Sequence, residues 1–277
     1  MIIDLNNFYS MLEVKGADAV TFLQGQITND IHRADKGLIY SGICNPKGRL
    51  FAFLRIVKIV DNFILICPKQ LASSLQLRLK MFILRSKVEV EINKNLKIFG
   101  IMNNCSSIKQ GNESLFPLPS DDNRQLLLTE DKDGHFINLM DKAMASTNLS
   151  QWLMRDIQSG IPEIMPETQE RLLVHTCNLD HINAVSFKKG CYTGQEIVAR
   201  THYLGKPKHR CFYGIIDSCS MTYGDSVFQE GNSVGTVVNF IATEDINYVL
   251  FEKGISIPND NLVINGKQIE SIKSFVN

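Results

Sequence analysis

Between residues 38 and 92 the chain alternates apolar, β-branched runs with short turn signals, and that order limits the folds open to it. Residues 38–44 and 50–60 read as two strands joined by Asn45-Pro46-Lys47-Gly48, residue types that close tight turns. A third strand, 63–67, follows the Asp61-Asn62 turn. Pro68 then opens a helix to about residue 84, with Leu71, Leu75, Leu79, Phe82 and Ile83 at helical spacing. Residues 87–92 alternate as a half-buried strand does. This order predicts an α+β sandwich with helices on one face of a sheet. Ahead of it lie a strand at 10–15, broken by Gly16, and a helix capped by Asp18 and ending near Gly25.

Further on, residues 103–124 are rich in Asn, Ser, Gly and Pro and predict a loop or domain junction. A helix resumes over 149–158, with Ser150 as its cap and Trp152, Leu153 and Ile157 on its apolar face. Residues 163–183 hold few regular signals. From Cys211 short apolar strands alternate with Gly, Asp and Asn turns, which predicts a small all-β barrel or sandwich. A chain of 277 residues is long enough for two or three domains. The expected division is 1–210, α+β with a junction near 103–124, and 211–277, all-β.

Lys plus Arg and Asp plus Glu both number 29, so the formal net charge is zero. General nucleic-acid binding is therefore not expected, since phosphate binding needs surplus cations, although a local basic patch remains open. His202, Lys206, Lys208, His209 and Arg210 form one such strip. It reads either as a solvated linker or as a dock for an acidic partner or tRNA phosphates. No run of about eighteen apolar residues occurs, so no membrane helix is expected, and the N-terminus lacks the marks of a signal peptide. A cytoplasmic, reducing location follows as the expectation. The seven cysteines are odd in number and include no C-x-x-C pair, which argues against a zinc ribbon, a thioredoxin motif or a ferredoxin cluster. Most read as buried thiols. The histidines show no H-x-x-H or H-E-x-x-H spacing, and no metal site is expected.

The densest segment is Lys188-Lys189-Gly190-Cys191-Tyr192-Thr193-Gly194-Gln195-Glu196. Two glycines flank a Cys-Tyr-Thr triplet, which sets Cys191 on a tight loop ahead of a helix starting at Gln195. A thiol near a helix N-terminus, with Lys188, Lys189, Arg200 and His202 close in sequence, sits in positive potential that favours the thiolate. The residues alone leave this reading level with that of an inert buried thiol beside a solvated loop. Gln195 and Glu196 bond either the loop or a ligand, or Glu196 serves as an early acid of the helix.

The run Lys-Gly-Cys-Tyr-Thr-Gly-Gln-Glu resembles the signature of the YgfZ family of folate-binding proteins, relatives of the glycine cleavage T-protein (aminomethyltransferase). Gly16-Ala17-Asp18 with Phe22-Leu23-Gln24-Gly25-Gln26 and Thr28-Asn29-Asp30, Pro46-Lys47-Gly48-Arg49, Leu84-Arg85-Ser86-Lys87-Val88, and Trp152 with Gly160-Ile161-Pro162 resemble further family motifs in order. The resemblance spans roughly residues 8–210. It departs at Leu172-Leu173-Val174-His175, where the family commonly carries Phe-x-Pro-Gln, and at Tyr9, where it typically has Trp.

The resemblance implies a T-protein-like fold, with two α+β, ferredoxin-like lobes around a central opening for tetrahydrofolate and a C-terminal β-barrel. It implies an aromatic wall from Tyr9 and Trp152, and cations from Lys47, Arg49 and Arg200 for the ligand's acidic tail. On spacing alone Trp152 reads equally as a core residue, and Lys47 and Arg49 as a solvated hairpin tip. The resemblance further implies support of iron–sulfur cluster assembly or repair in client enzymes, tRNA-modifying ones included, with Cys191 as the functional thiol. One cysteine cannot hold a cluster alone, so a transient role is expected of an accessory factor rather than of an enzyme with turnover. A tetrahydrofolate-dependent aminomethyltransferase or demethylase and a non-catalytic scaffold are the alternatives.

Overall fold

A computed structural model describes residues 1–103, 114–130 and 145–276, with side chains from residue 149 onward in the last stretch. The first sheet is built from β2 (Tyr9–Lys15), β3 (Ile39–Cys44), β4 (Leu50–Ile59), β5 (Asn62–Pro68) and β6 (Glu89–Ile92). Its order is β3-β4-β5-β2-β6, with every pairing antiparallel. The helices α1 (Ala19–Gln26) and α2 (Ala72–Met81) bury Phe22, Leu23, Leu75 and Leu79 in the same core as the sheet. The α+β arrangement read from the order of apolar runs is the one observed.

Two local details differ from expectation. The helix anticipated to residue 84 starts as a single 3₁₀ turn at Lys69–Leu71 and ends at Met81. Phe82 and Ile83 bond back only three residues, and Leu84 turns the chain with φ 47, leaving its side chain in solvent. Leu84 therefore has no apolar surface to continue the helix against. Asp18 stands at the start of α1 but makes no side-chain cap bond. Its carboxylate instead accepts the Lys87 N–H at 2.7 Å, tying the helix start to the approach of β6.

A second sheet, in the order β1-β7-β9-β8, contains β1 (Ile2–Asp4), β7 (Lys97–Met102), β8 (Ser114–Leu118) and β9 (Asp121–Thr129). Two of its strands fall in or start in the stretch 103–124 expected as loop. Leu115 and Phe116 lie opposite Leu127 and Leu126 in the antiparallel pair, so tertiary pairing overrides the polar composition. Residues 104–113 of that stretch, with Cys105, lie outside the described residues. The helix α3 (Ala145–Gln158) starts ahead of Ser150, which is therefore an interior residue rather than a cap. α3 packs against β1 and against the barrel.

The remaining strands are β10 (His209–Asp217), β11 (Ser226–Gln229), β12 (Asn232–Ala242), β13 (Ile246–Gly254), β14 (Leu262–Ile264) and β15 (Lys267–Ser274). They close a six-stranded barrel in the order β10-β13-β12-β11-β14-β15. Closure leaves no sheet edge, and Val227, Val237, Phe251 and Leu262 fill its interior. The signature helix α4 (Gln195–Tyr203) leads into it. Among the described residues no helix is long and apolar enough to cross a membrane.

Candidate functional site

The Cys191 loop is fixed from three sides. Lys189 Nζ donates to the carbonyls of Ile27 at 2.7 Å and Asn29 at 2.8 Å, just past the end of α1. Burial there pulls the Lys189 pKa down to about 8, against the opposing pull of Asp30. The same ammonium lies 5.2 Å from the Tyr192 ring centre, and Tyr192 is buried. The Thr193 N–H reaches Gly25 O at 3.3 Å.

Gly194 supplies the third side. It stands at φ 85 as the residue before α4, and a methyl group there would meet Asn45 O at 2.5 Å and Gly48 Cα at 3.1 Å. Gly48, at φ 70, lies equally close to Ile197 Cβ, at 3.0 Å from where its own Cβ would stand. The Asn45–Arg49 hairpin and the start of α4 thus share one backbone-to-backbone contact, which only glycine permits. Glu196 occupies the first turn of α4, exposed, where an acid favours the helix dipole.

On this support Cys191 is exposed, while Cys44, Cys67, Cys177 and Cys211 are buried and Cys219 is intermediate. Cys191 is the one exposed thiol among the described residues. Burial raises the pKa of Cys44 to about 12, which keeps that thiol protonated. Among the described residues no group of three or more His, Cys, Asp or Glu side chains is placed to hold a metal ion.

The anticipated ligand residues fall in two separate places. Lys47, Arg49 and Arg200 are exposed, on the hairpin and on α4. Arg49 Nη1 donates to Arg171 O and lines a cleft of about 460 Å³ with Arg171, His175, Thr201, Lys206 and Lys208. Tyr9 and Trp152 are buried elsewhere. The Tyr9 hydroxyl donates to Glu163 Oε1 at 2.6 Å, with the Arg55 guanidinium 4.8 Å from its ring centre. Trp152 packs on Gly100, where an added Cβ would stand 2.6 Å from its ring, and Arg124 lies 4.7 Å from its centre. Neither ring presents an open wall.

Around these two aromatics lies a charged centre that local sequence reading missed. Arg55 of β4 donates to Glu163 Oε1 at 2.5 Å and to Asp156 Oδ2 at 2.9 Å. Arg124 of β9 stands 2.8 Å from Asp156 Oδ1 and donates to Asp121 and to the Trp152 carbonyl. Burial pushes the Glu163 carboxyl up, with Arg55 opposing. The available signal was Arg55 itself, a charge inside the otherwise apolar run of residues 50–57.

A cavity borders this centre, lined by Phe8, Asp156, Glu163, Tyr223, Asn239 and Phe240 among others. Glu163 Oε2 and Asn239 Oδ1 are buried without hydrogen-bond partners, and such acceptors beside aromatic rings suit the edge of a pterin. Yet the cavity is only about 10 Å³. That is about the space of one water, so this cavity by itself, among the described residues, does not hold a pterin. No residue of the signature loop lines it.

No family model matches the chain. An uncharacterized protein of Haemophilus influenzae is 35% identical over 208 residues, which cover 74% of this chain and 70% of that protein. The tRNA-modifying protein YgfZ of Hamiltonella defensa is 31% identical over 230 residues, 76% of this chain and 68% of that protein. Its counterpart in Edwardsiella ictaluri is 31% identical over 225 residues, 73% of this chain and 67% of that protein. Among solved structures, the glycine cleavage system aminomethyltransferase T of Bartonella henselae superposes with a TM-score of 0.68, covering 97% of this chain and 83% of that one at 12% identity. At that identity the likeness speaks for the fold, which is that of the aminomethyltransferase.

Proposed function

The chain belongs to the YgfZ family of tRNA-modifying proteins, and on that premise we propose that it is an accessory factor for iron–sulfur clusters in client enzymes, tRNA-modifying ones among them, acting through the Cys191 thiol. The observation that carries this reading is the exposure of Cys191 on a loop anchored by Lys189, Tyr192, Thr193 and Gly194. Four of the other five described thiols are sealed in the core and Cys219 is only partly exposed, so Cys191 is the described thiol most open to a partner. A single thiolate cannot complete the shell of a cluster, which takes about four protein ligands. Cys191 therefore acts transiently, as a shared ligand during transfer or in thiol–disulfide exchange with a client.

Tetrahydrofolate belongs to the proposal only for an opened central junction, where Glu163 and Asn239 hold free acceptors. The cavity beside them is too small for a pterin among the described residues, so the thiol's role is assigned without it.

The test is replacement of the chromosomal copy by Cys191→Ser, with the activity of cluster-containing enzymes as readout. Activity is expected to drop to the level of a deletion strain at unchanged protein abundance. Activity equal to wild type would remove the thiol from the mechanism.

A further inference from the structure

The C-terminal end of α4 opens onto the cleft that holds Arg49, Arg171, Lys206 and Lys208. Thr176 and Thr201 share its lining, with the Thr201 hydroxyl donating to Ile197 O at 2.9 Å, and Glu252 is its one acid among the described residues. That carboxylate is already occupied by His209 Nδ1 at 2.7 Å. None of the four cations has an ion-pair partner among the described residues. A neighbouring groove of about 1120 Å³ continues the cleft and shares Lys206, Pro207, Lys208 and His209 with it. The result is a track of cations on a molecule whose net charge is zero.

An aromatic step meets the cleft through His202, whose ring centre lies 6.4 Å from that of the cleft's His175. His202 stacks on Phe187 with ring centres 3.7 Å apart and 12° between planes. Tyr203 sits edge-on to His202 at 4.8 Å and is 65% exposed. At that exposure the Tyr203 ring is available to stack on a ligand. Converging cations suit the phosphates of a nucleic-acid strand, and a nearby exposed ring suits an unstacked base. An acidic peptide would use the cations and leave the ring idle.

We propose that this cleft binds a single-stranded segment of RNA, with Arg49, Arg171, Lys206 and Lys208 on its phosphates and Tyr203 stacked on a base. The proposal deepens the reading of the chain as a partner of tRNA-modifying enzymes, and rests on it for the identity of the RNA. It also gives the site a geometry. α4 has nine residues and a length of about 14 Å, so RNA held at its C-terminal end lies one short helix away from the Cys191 loop.

The experiment measures fluorescence anisotropy of the full chain with labelled unmodified tRNA, with a short single-stranded RNA and with a polyglutamate peptide. Binding of both RNAs is expected in the micromolar range at physiological salt, and weakens as salt rises. The Lys206→Glu/Lys208→Glu pair is expected to weaken RNA binding about tenfold or more and to lower the salt slope by about two. Tyr203→Ala is expected to weaken it about fivefold or more at an unchanged slope. Thermal melts matching wild type show that these exposed positions leave the fold intact. Equal RNA affinity in the lysine pair, or no effect of Tyr203→Ala, overturns the proposal. So does polyglutamate binding as tight as RNA, which would mark a protein-docking surface instead. Cys191→Ser is expected to bind RNA as wild type does, so failure of the thiol reading and failure of the cleft reading register in different assays.

Discussion

At the level of single side chains, the described cysteines divide by exposure rather than by spacing. Native-state alkylation should therefore read the fold directly. In a Cys105→Ser background, iodoacetamide is expected to modify Cys191 first and Cys219 more slowly, with Cys44, Cys67, Cys177 and Cys211 protected. Mass spectrometry that finds a core thiol modified at the rate of Cys191 would contradict the structure. His175 carries a second residue-scale prediction. Burial lowers its pKa, against Asp180 and with help from the nearby Arg210, His202 and His181. The unfolded chain takes up a proton near pH 6.5, the folded chain only at lower pH, so stability falls as pH drops below about 6.5. His175→Gln is expected to flatten this acid limb. Thermal melts between pH 7.5 and 5.5 check it, and parallel losses in both proteins would exclude His175 as the cause.

At the level of elements, the contact between the Asn45–Arg49 hairpin and the start of α4 is the joint on which the thiol loop rests. Gly194→Ala places a methyl 2.5 Å from Asn45 O at φ 85. The left-handed strain alone costs about 1–2 kcal/mol, and the clash adds to it. The expected result is a stability loss of about 2 kcal/mol or more in urea unfolding, with faster alkylation of Cys191 as the loop lifts. Gly190 has nothing within 4 Å of its ideal Cβ and no left-handed φ, so Gly190→Ala serves as the control and should change stability by less than about 0.5 kcal/mol. A Gly194→Ala protein as stable as that control would mean that the hairpin and helix do not touch. The glycines of the signature were legible in the sequence. That Gly194 answers to Gly48 was not, because the two come together only when the hairpin folds onto α4.

For the whole molecule, the cluster of Arg55, Arg124, Asp156 and Glu163 fastens α3 and the segment after it to both sheets. Arg55 meets Asp156 and Glu163 across 101 and 108 residues of chain, far beyond any helical or strand period. Arg55→Met would leave two carboxylates buried without their shared cation. Breaking a buried ion pair from one side costs about 3–5 kcal/mol, and this loss is expected in denaturant unfolding. A change below about 1 kcal/mol would show the centre to be wetter than its burial implies. The same centre accounts for Trp152. The helix periodicity left it between a ligand wall and the core, and Gly100 and Arg124 cover it on packing grounds alone.

Short-range signals in the chain carry the local grammar of the fold. They mark the strands and turns of the first sheet, the change to short β-strands near 210, the helix after Gly194, and a signature loop specific enough to name a family. Those signals act over a few residues, through backbone preference and side-chain period. Tertiary structure alone decided which charges meet. It sent Arg49 to a cleft with Lys206, Arg55 to a dry centre with Glu163, and Trp152 into the core, and it made strands of 114–118 and 121–124. Burial and electrostatics depend on which distant surfaces come into contact, and no short stretch of chain encodes that.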